Sequence, residues 1–304
     1  MKKQWLPLTL AAVLIAGMTL SMPVSSPAAD GGFDIDRNEF GTWLLGYHGP
    51  GGAVAVPDGV TWISNGFEYR TDITSVTIPG SVETIGAAFT GCTGLTDVTI
   101  GEGVKEINME AFSGCTSLTN VTIPGSVGKI GLYAFNETPW LASLGEFAVV
   151  NNILVRYQGA GGHVAVPDGI TTIGEGAFAS IPGIDSHITS ITLPGSVKTI
   201  GEGAFRQCSN MTSIEIPCGV TSIGSGAFDI CTNLTSITFP DTLVSLGSYA
   251  LEECPNLTRV SIPGSVTSIG NDVFYRSPNA VIYGIAGSTA EAYAGENGIP
   301  FVAE

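Results

Sequence analysis

Apolar and polar positions alternate in a phrase that returns along most of the chain. In one copy, "LTSITFPDTLVSLGSYALEEC" (234–254), Leu234, Ile237 and Phe239 are apolar, and the last three positions before Pro240 alternate as a strand does. Pro240 ends that strand, because it has no N–H to give to a ladder. In most other copies Gly follows the Pro, which predicts a tight turn with positive φ at its third residue. A second extended piece, "LVSLG", ends at Gly247. An Ala-Leu or Ala-Phe pair and a Cys then turn inward on a predicted helical or 3₁₀ corner.

The spacing of these marks sets the architecture. The Pro or its stand-in falls at Pro57, Pro79, Gly101, Pro124, Pro167, Pro194, Pro217, Pro240 and Pro263. The corner mark keeps the same count at Phe67, Phe89, Phe112, Phe135, Phe178, Phe205, Phe228, Leu251 and Phe274. The period of ~23 residues lies in the range of leucine-rich repeats. A unit this small cannot offset the entropy of ordering its own backbone, so the units fold only as a stack. The prediction is a β-rich leucine-rich-repeat solenoid of about nine rungs.

Two segments break the period. Some 20 extra residues separate Phe135 from Phe178, and "LVRYQGAGGHVAVPDGI" (154–170) within that stretch nearly copies "LLGYHGPGGAVAVPDGV" (44–60). Both read as a β-hairpin with a Gly-rich tip feeding into a rung, and the first would cover the open N-terminal edge. A smaller insertion, "ASIPGIDSH" (179–187), reads as a four-residue bulge. At the other end, "GSTAEAYAGENGIPF" (287–301) carries Ser288 and Glu291 at capping-box spacing, then a short helix, then Asn297-Gly298 as its stop. The expected organisation is a leader at 1–29, an N-terminal capping hairpin at 30–60, a solenoid at 61–280 with a hairpin insertion at 136–166, and a helical cap at 281–304.

The phrase "IPGSVTSIGxxAFxxC", the segment "VNNILVRYQGAGGHVAVPDGI" and the ending "GSTAEAYAGENGIPF" resemble the BspA-like leucine-rich-repeat family of microbial surface proteins. The resemblance spans nearly all of residues 33–301. It implies a right-handed, curved solenoid, exported to the cell surface or beyond, that binds other proteins. Adhesion to host matrix proteins and to other microbes is associated with the family, and it carries no catalytic motif to transfer.

The N-terminus agrees with export. Lys2 and Lys3 precede an apolar run from Leu6 to Leu20, followed by "MPVSSPAAD", the three-part pattern of a secretory leader with cleavage after Ala28 or Ala29. No cysteine closes the apolar run, which speaks against a lipid anchor, and no later stretch approaches the ~18–20 apolar residues of a membrane span. The formal net charge of −16 argues against nucleic acid and against an anionic membrane as partner.

Six cysteines in an exported chain raise the question of disulfides. Cys92, Cys115, Cys208, Cys231 and Cys254 each lie three residues after the corner mark, in a column that also holds Arg70, Thr138, Ile181 and Ser277. That alternation favours a column of small buried residues with free thiols, while bridged neighbours remain the competing reading. Cys218 stands outside the column, in "IPCGV", and is expected to be exposed. His48, His163 and His187 read as loop residues, and no pair has the spacing of zinc ligands. "GEGAF" at 174–178 and 201–205 lacks the third Gly and the helix of a phosphate loop and reads as a turn. No cofactor is expected.

With the main strands assigned to the concave face, the outward residues form the candidate binding face. They are Asp97 and Thr99, Asn120 and Thr122, Ser190 and Thr192, Ser213 and Glu215, Ser236 and Thr238, and Arg259 and Ser261, with Ser75 and Thr77 one rung earlier. This surface is rich in hydroxyls, with few charges and no aromatic anchor, although hot spots favour Trp, Tyr and Arg. The aromatic candidates lie elsewhere: Trp62, expected to pack on the N-terminal hairpin, Tyr133 and Tyr249 near the corner, and Tyr47 and Tyr157 in the two similar segments. The reading is a non-catalytic protein-binding or adhesion module meeting an extracellular protein or cell-surface ligand. The alternative is a structural, self-associating surface component.

Overall fold

The computed structural model describes residues 31–180 and 187–304. The leader and nearly all of the four-residue bulge, with Ile181, lie outside the described residues. Within them the repeat forms a β-solenoid in which each rung up to the main strand Arg259–Ile262 adds one main strand and one two-residue strand to parallel ladders. The main strands form ladders of four and seven, eleven in all, where the repeat marks predicted about nine. The two further strands are Ile282–Gly284 and Phe301–Ala303, inside the segment expected to be a helical cap. The helix is also there, at Thr289–Asn297, capped by the Ser288 hydroxyl at the Glu291 N–H and stopped by Gly298 at φ 66°. The Glu291 carboxylate reaches back past the cap residue to accept the N–H of Gly287, at 2.6 Å.

Stacking repeats of one phrase places like residues over like residues. Phe89, Phe112 and Phe135 are stacked with centroids 5.1 and 5.2 Å apart, and Phe178, Phe205 and Phe228 repeat the arrangement at 5.3 and 5.2 Å. Tyr47 heads the first spine on Phe67 and Tyr157 heads the second on Phe178, which explains why both tyrosines recur. Trp62 stacks on Trp43 of the N-terminal hairpin, at 5.5 Å. The five column cysteines are free and fully buried, and Cys218 is free and exposed.

The hairpins differ from their predicted form. Antiparallel pairing joins Phe33–Asn38 to Gly41–Tyr47, and Phe147–Val150 to Ile153–Tyr157, so each hairpin lies upstream of the Gly-rich segment. The Gly-rich segments carry the chain from the short-strand sheet to the main sheet, where Gly52–Ala55 and Gly162–Ala165 begin the two main ladders. In consequence the hairpins cap the short-strand sheets and not the main ones. The second hairpin also divides the stack: among the described residues no main strand pairs across it. Leu141, one period after Leu118, sits in the helix Pro139–Ser143, which occupies the place of the next main strand, and Trp140 N–H donates to the Leu118 carbonyl at 2.8 Å. Two buried clusters result, one on each side.

The Pro-Gly turns close as predicted, with Val82 N–H on the Pro79 carbonyl and Val197 N–H on that of Pro194. Their glycines, however, do not have positive φ; that conformation falls one residue later and only where the residue is Gly, as at Gly59 and Gly169, both at φ 88°. At Ser81, Ser126 and Thr242 the hydroxyl of that residue accepts the equivalent N–H of the preceding rung, from Gly59, Gly103 and Gly219. Left-handed residues instead mark the corner: Glu110, Tyr133, Gly176, Gly203, Gly226, Tyr249 and Asp272 all lie at φ between 54° and 60°.

Candidate functional site

Alternation along each main strand buries one set of side chains and turns the other outward. Every predicted face residue is on the outward set: Ser75, Ser190, Ser236 and Ser261 are half-buried and the other ten are exposed. The parallel registers align them in columns. In the first ladder Ser75, Asp97 and Asn120 form one column, and Thr77, Thr99 and Thr122 the other. In the second, Ser213, Ser236 and Arg259 align, beside Thr192, Glu215, Thr238 and Ser261. Ser75, Thr77, Asp97, Thr99, Asn120 and Thr122 therefore stand in a different ladder from the remaining eight, and the helix at Pro139–Ser143 interrupts the array between them.

The polar groups on this face are tied to one another. Asp97 accepts from the Thr96 hydroxyl at 2.6 Å and from the Asn120 amide at 2.8 Å, which holds its carboxyl below the usual range. His163, read as a loop residue, lies on a main strand and bonds the Ser190 hydroxyl at 2.8 Å. Arg259 is engaged twice, by the Glu304 carboxylate at 2.5 Å and by the ring of Tyr283, 3.8 Å below its guanidinium carbon. Tyr283 continues the Ser261 column, so the face does carry an aromatic residue at its C-terminal end. Sequence reading missed it because its strand lay in the segment assigned to the cap. The only sign was Ile282-Tyr283 following the last repeat.

Glu215 and Thr238 flank a depression of about 380 Å³ whose floor includes Ile214 and Ile237 and whose rim holds exposed Cys218. It is an open concavity with a hydroxyl, a carboxylate and a thiol at its border, suited to contact and not to enclosing a small molecule. Among the described residues no group of three or more His, Cys, Asp or Glu is arranged to hold a metal ion, and no helix is long and apolar enough to cross a membrane.

Solved structures similar to the chain include a leucine rich cell surface protein from Faecalibacterium prausnitzii, at 25% identity over 84% of this chain and 75% of that one with a TM-score of 0.38. A leucine-rich repeat protein from Bacteroides ovatus shares 22% identity over 90% and 74% of the two chains, with a TM-score of 0.38. The pneumococcal vaccine antigen PcpA shares 15% over 90% and 96%, with a TM-score of 0.44. No curated protein matches the chain. The model of the BspA type leucine rich repeat region matches in six copies, over residues 55–153 and 161–281. With stacked rungs of the same period across both matched segments, the chain belongs to the BspA type leucine-rich-repeat family.

Proposed function

We propose that the protein is a non-catalytic binding module that acts outside the cell or at its surface, engaging an extracellular protein or surface ligand through the outward face of its main strands. The observation that carries this reading is the register. Parallel pairing sets Thr192, Glu215, Thr238, Ser261 and Tyr283 side by side on a stacked scaffold, an extended polar surface of the kind solenoids use for binding. The leader pattern of residues 1–29 and the acidic charge support export and a partner other than nucleic acid or an anionic membrane. The family supports a role without catalysis.

The test is binding of the purified protein to matrix proteins and to intact host and microbial cells. Its comparison is the variant Asn120→Ala/Glu215→Ala/Arg259→Ala with unaltered thermal unfolding. Saturable binding lost in the variant supports the strand face. Binding that survives moves the site elsewhere, and self-association without binding favours a structural surface component.

A further inference from the structure

The two hairpins hold equivalent places, yet their flanking side chains meet different surroundings. Leu44 in the first and Leu154 in the second are both buried, in register with Ile63 and Ile173 of the next rung. The neighbours of Leu154 are Ile153 and Val155, 4% and 9% exposed. They belong to the buried cluster of the preceding rungs, with Phe135, Trp140 and Leu141, whereas Leu154 belongs to that of the following rungs. The second hairpin is thus a two-sided joint that seats one half of the solenoid on the other.

At the first hairpin the same two positions are Trp43 and Leu45, and among the described residues no rung precedes them. Trp43 is part-exposed against Trp62, Leu45 is 48% exposed, and Phe40 at the hairpin turn is 81% exposed. In the next rungs the column of Trp62 holds Thr84, Glu106 and Lys129, so stacking alone does not call for an aromatic ring there. A single exposed apolar side chain is ordinary on a surface. A pair on one side of a strand whose counterpart is buried within the same chain is the open half of a joint.

The far end of the solenoid offers the other half. The first set of rungs ends in the corner at Phe135 and the helix Pro139–Ser143, and the second in the corner at Phe274, the strand Ile282–Gly284 and the helix Thr289–Asn297. Polar terminal caps keep solenoid ends apart, but this end leaves Ile285 and Val302 exposed and Ile299 and Phe301 only part-buried. Phe301–Ala303 also closes the main ladder with one edge unpaired among the described residues, a template for a further chain.

We propose that copies of this chain associate head to tail. The first hairpin of one copy docks through Trp43 and Leu45 on the end of the next around Ile285 and Val302, as the second hairpin docks on the first set of rungs within each copy. The partner is a second copy because the chain already makes this kind of joint with itself. The contact joins unlike surfaces, so it repeats into open chains and does not close as a pair. Asp36 and Glu39 at one end and Glu291 and Glu296 at the other repel, and salt screens that repulsion, so association strengthens at high ionic strength. Copies in line present the outward strand face many times over, which raises avidity without new contacts, and the assembly does not depend on what that face binds.

Sedimentation equilibrium of the purified protein over a wide concentration range, in low and in high salt, tests this. The average mass is expected to rise with concentration past that of two copies, and more so in high salt. Leu45→Asp and Val302→Asp, both at exposed positions and with unaltered thermal unfolding, are each expected to stay single copies. Mixed in equal amounts they are expected to form a species of two copies and nothing larger, because each supplies the intact end that the other lacks. Ile285→Asp, which leaves the terminal strand untouched, is expected to behave as Val302→Asp does. A single copy at every concentration and salt overturns the proposal, and so does association that all three variants retain. A pair lost in Leu45→Asp and not restored by mixing also overturns it, since that result belongs to a symmetric contact.

Discussion

The thiol of Cys115 donates to the backbone carbonyl of Phe89, 3.1 Å away and one rung earlier. The same bond links Cys92 to Phe67, Cys231 to Phe205 and Cys254 to Phe228, and the Ser277 hydroxyl makes it to Leu251 at 2.7 Å. Arg70, in the same column, reaches the Tyr47 carbonyl at the head of the stack. The column thus serves packing and a rung-to-rung hydrogen bond, not bridging. Burial pushes the Cys254 thiol up to about 12, and that of Cys231 well above its ordinary range.

Thiol accessibility follows from this. A thiol-specific reagent at mildly alkaline pH should modify Cys218 alone in the native protein and all six cysteines after denaturation. Cys231→Ala should cost about 1–2 kcal/mol by urea unfolding, and Cys231→Ser less, since its hydroxyl can take up the Phe205 carbonyl as Ser277 does that of Leu251. A serine variant less stable than the alanine variant would contradict the hydrogen-bonding role.

Phe112 is fully buried between Phe89 and Phe135. Phe112→Ala should therefore destabilise by about 3–5 kcal/mol, whereas Phe112→Leu should cost roughly 1 kcal/mol because Leu251 already fills this position in another rung. The unfolding midpoints of the two variants decide the point.

Left-handed corners give substitutions of opposite sign from one cause. Glu110 is exposed at φ 57°, and Glu110→Gly should stabilise by about 0.5–1 kcal/mol by relieving backbone strain. Gly203, at φ 56°, leaves space for a methyl group, so Gly203→Ala should destabilise by about 1 kcal/mol through strain alone. Thermal melts of both variants check the pair of signs.

Asp229 makes stability depend on pH. Its carboxyl holds a proton up to about 6 in the fold and loses it at lower pH when unfolded, so its favourable contribution is full below the unfolded value. That contribution declines through the interval and is gone above about 6. Asp229→Asn, permanently neutral, should thus be more stable than the native protein by on the order of 2 kcal/mol at pH 8 and indistinguishable from it near pH 3.5. A variant less stable than the native protein at pH 8 and indistinguishable from it near pH 3.5 would show instead that the Arg206 pair dominates.

Much of this was legible in the chain. The period of the Pro and Phe marks specified a stacked leucine-rich-repeat solenoid, because rungs of equal length place equal residues in register, and the alternation Ser236-Ile237-Thr238 assigned inward and outward sides. Free, buried cysteines followed from a column that tolerates Ile and Thr, and the helix stop from Asn297-Gly298. What the tertiary structure decided was how segments pair and what lies next to what. "LVRYQGAGGHVAVPDGI" has the composition of a hairpin, yet its two strands join different sheets, since each finds a parallel neighbour one rung on. The helix holding Leu141 replaces a main strand and splits the array, a consequence of long-range pairing that local pattern does not encode. Arg259, placed by the sequence on the outward face, is held by Glu304, 45 residues away, and a cavity at the corners brings Tyr133 and Asp229 together across the insertion. Repetition fixes neighbours at one period; contacts that skip or interrupt the period exist only once the stack has closed.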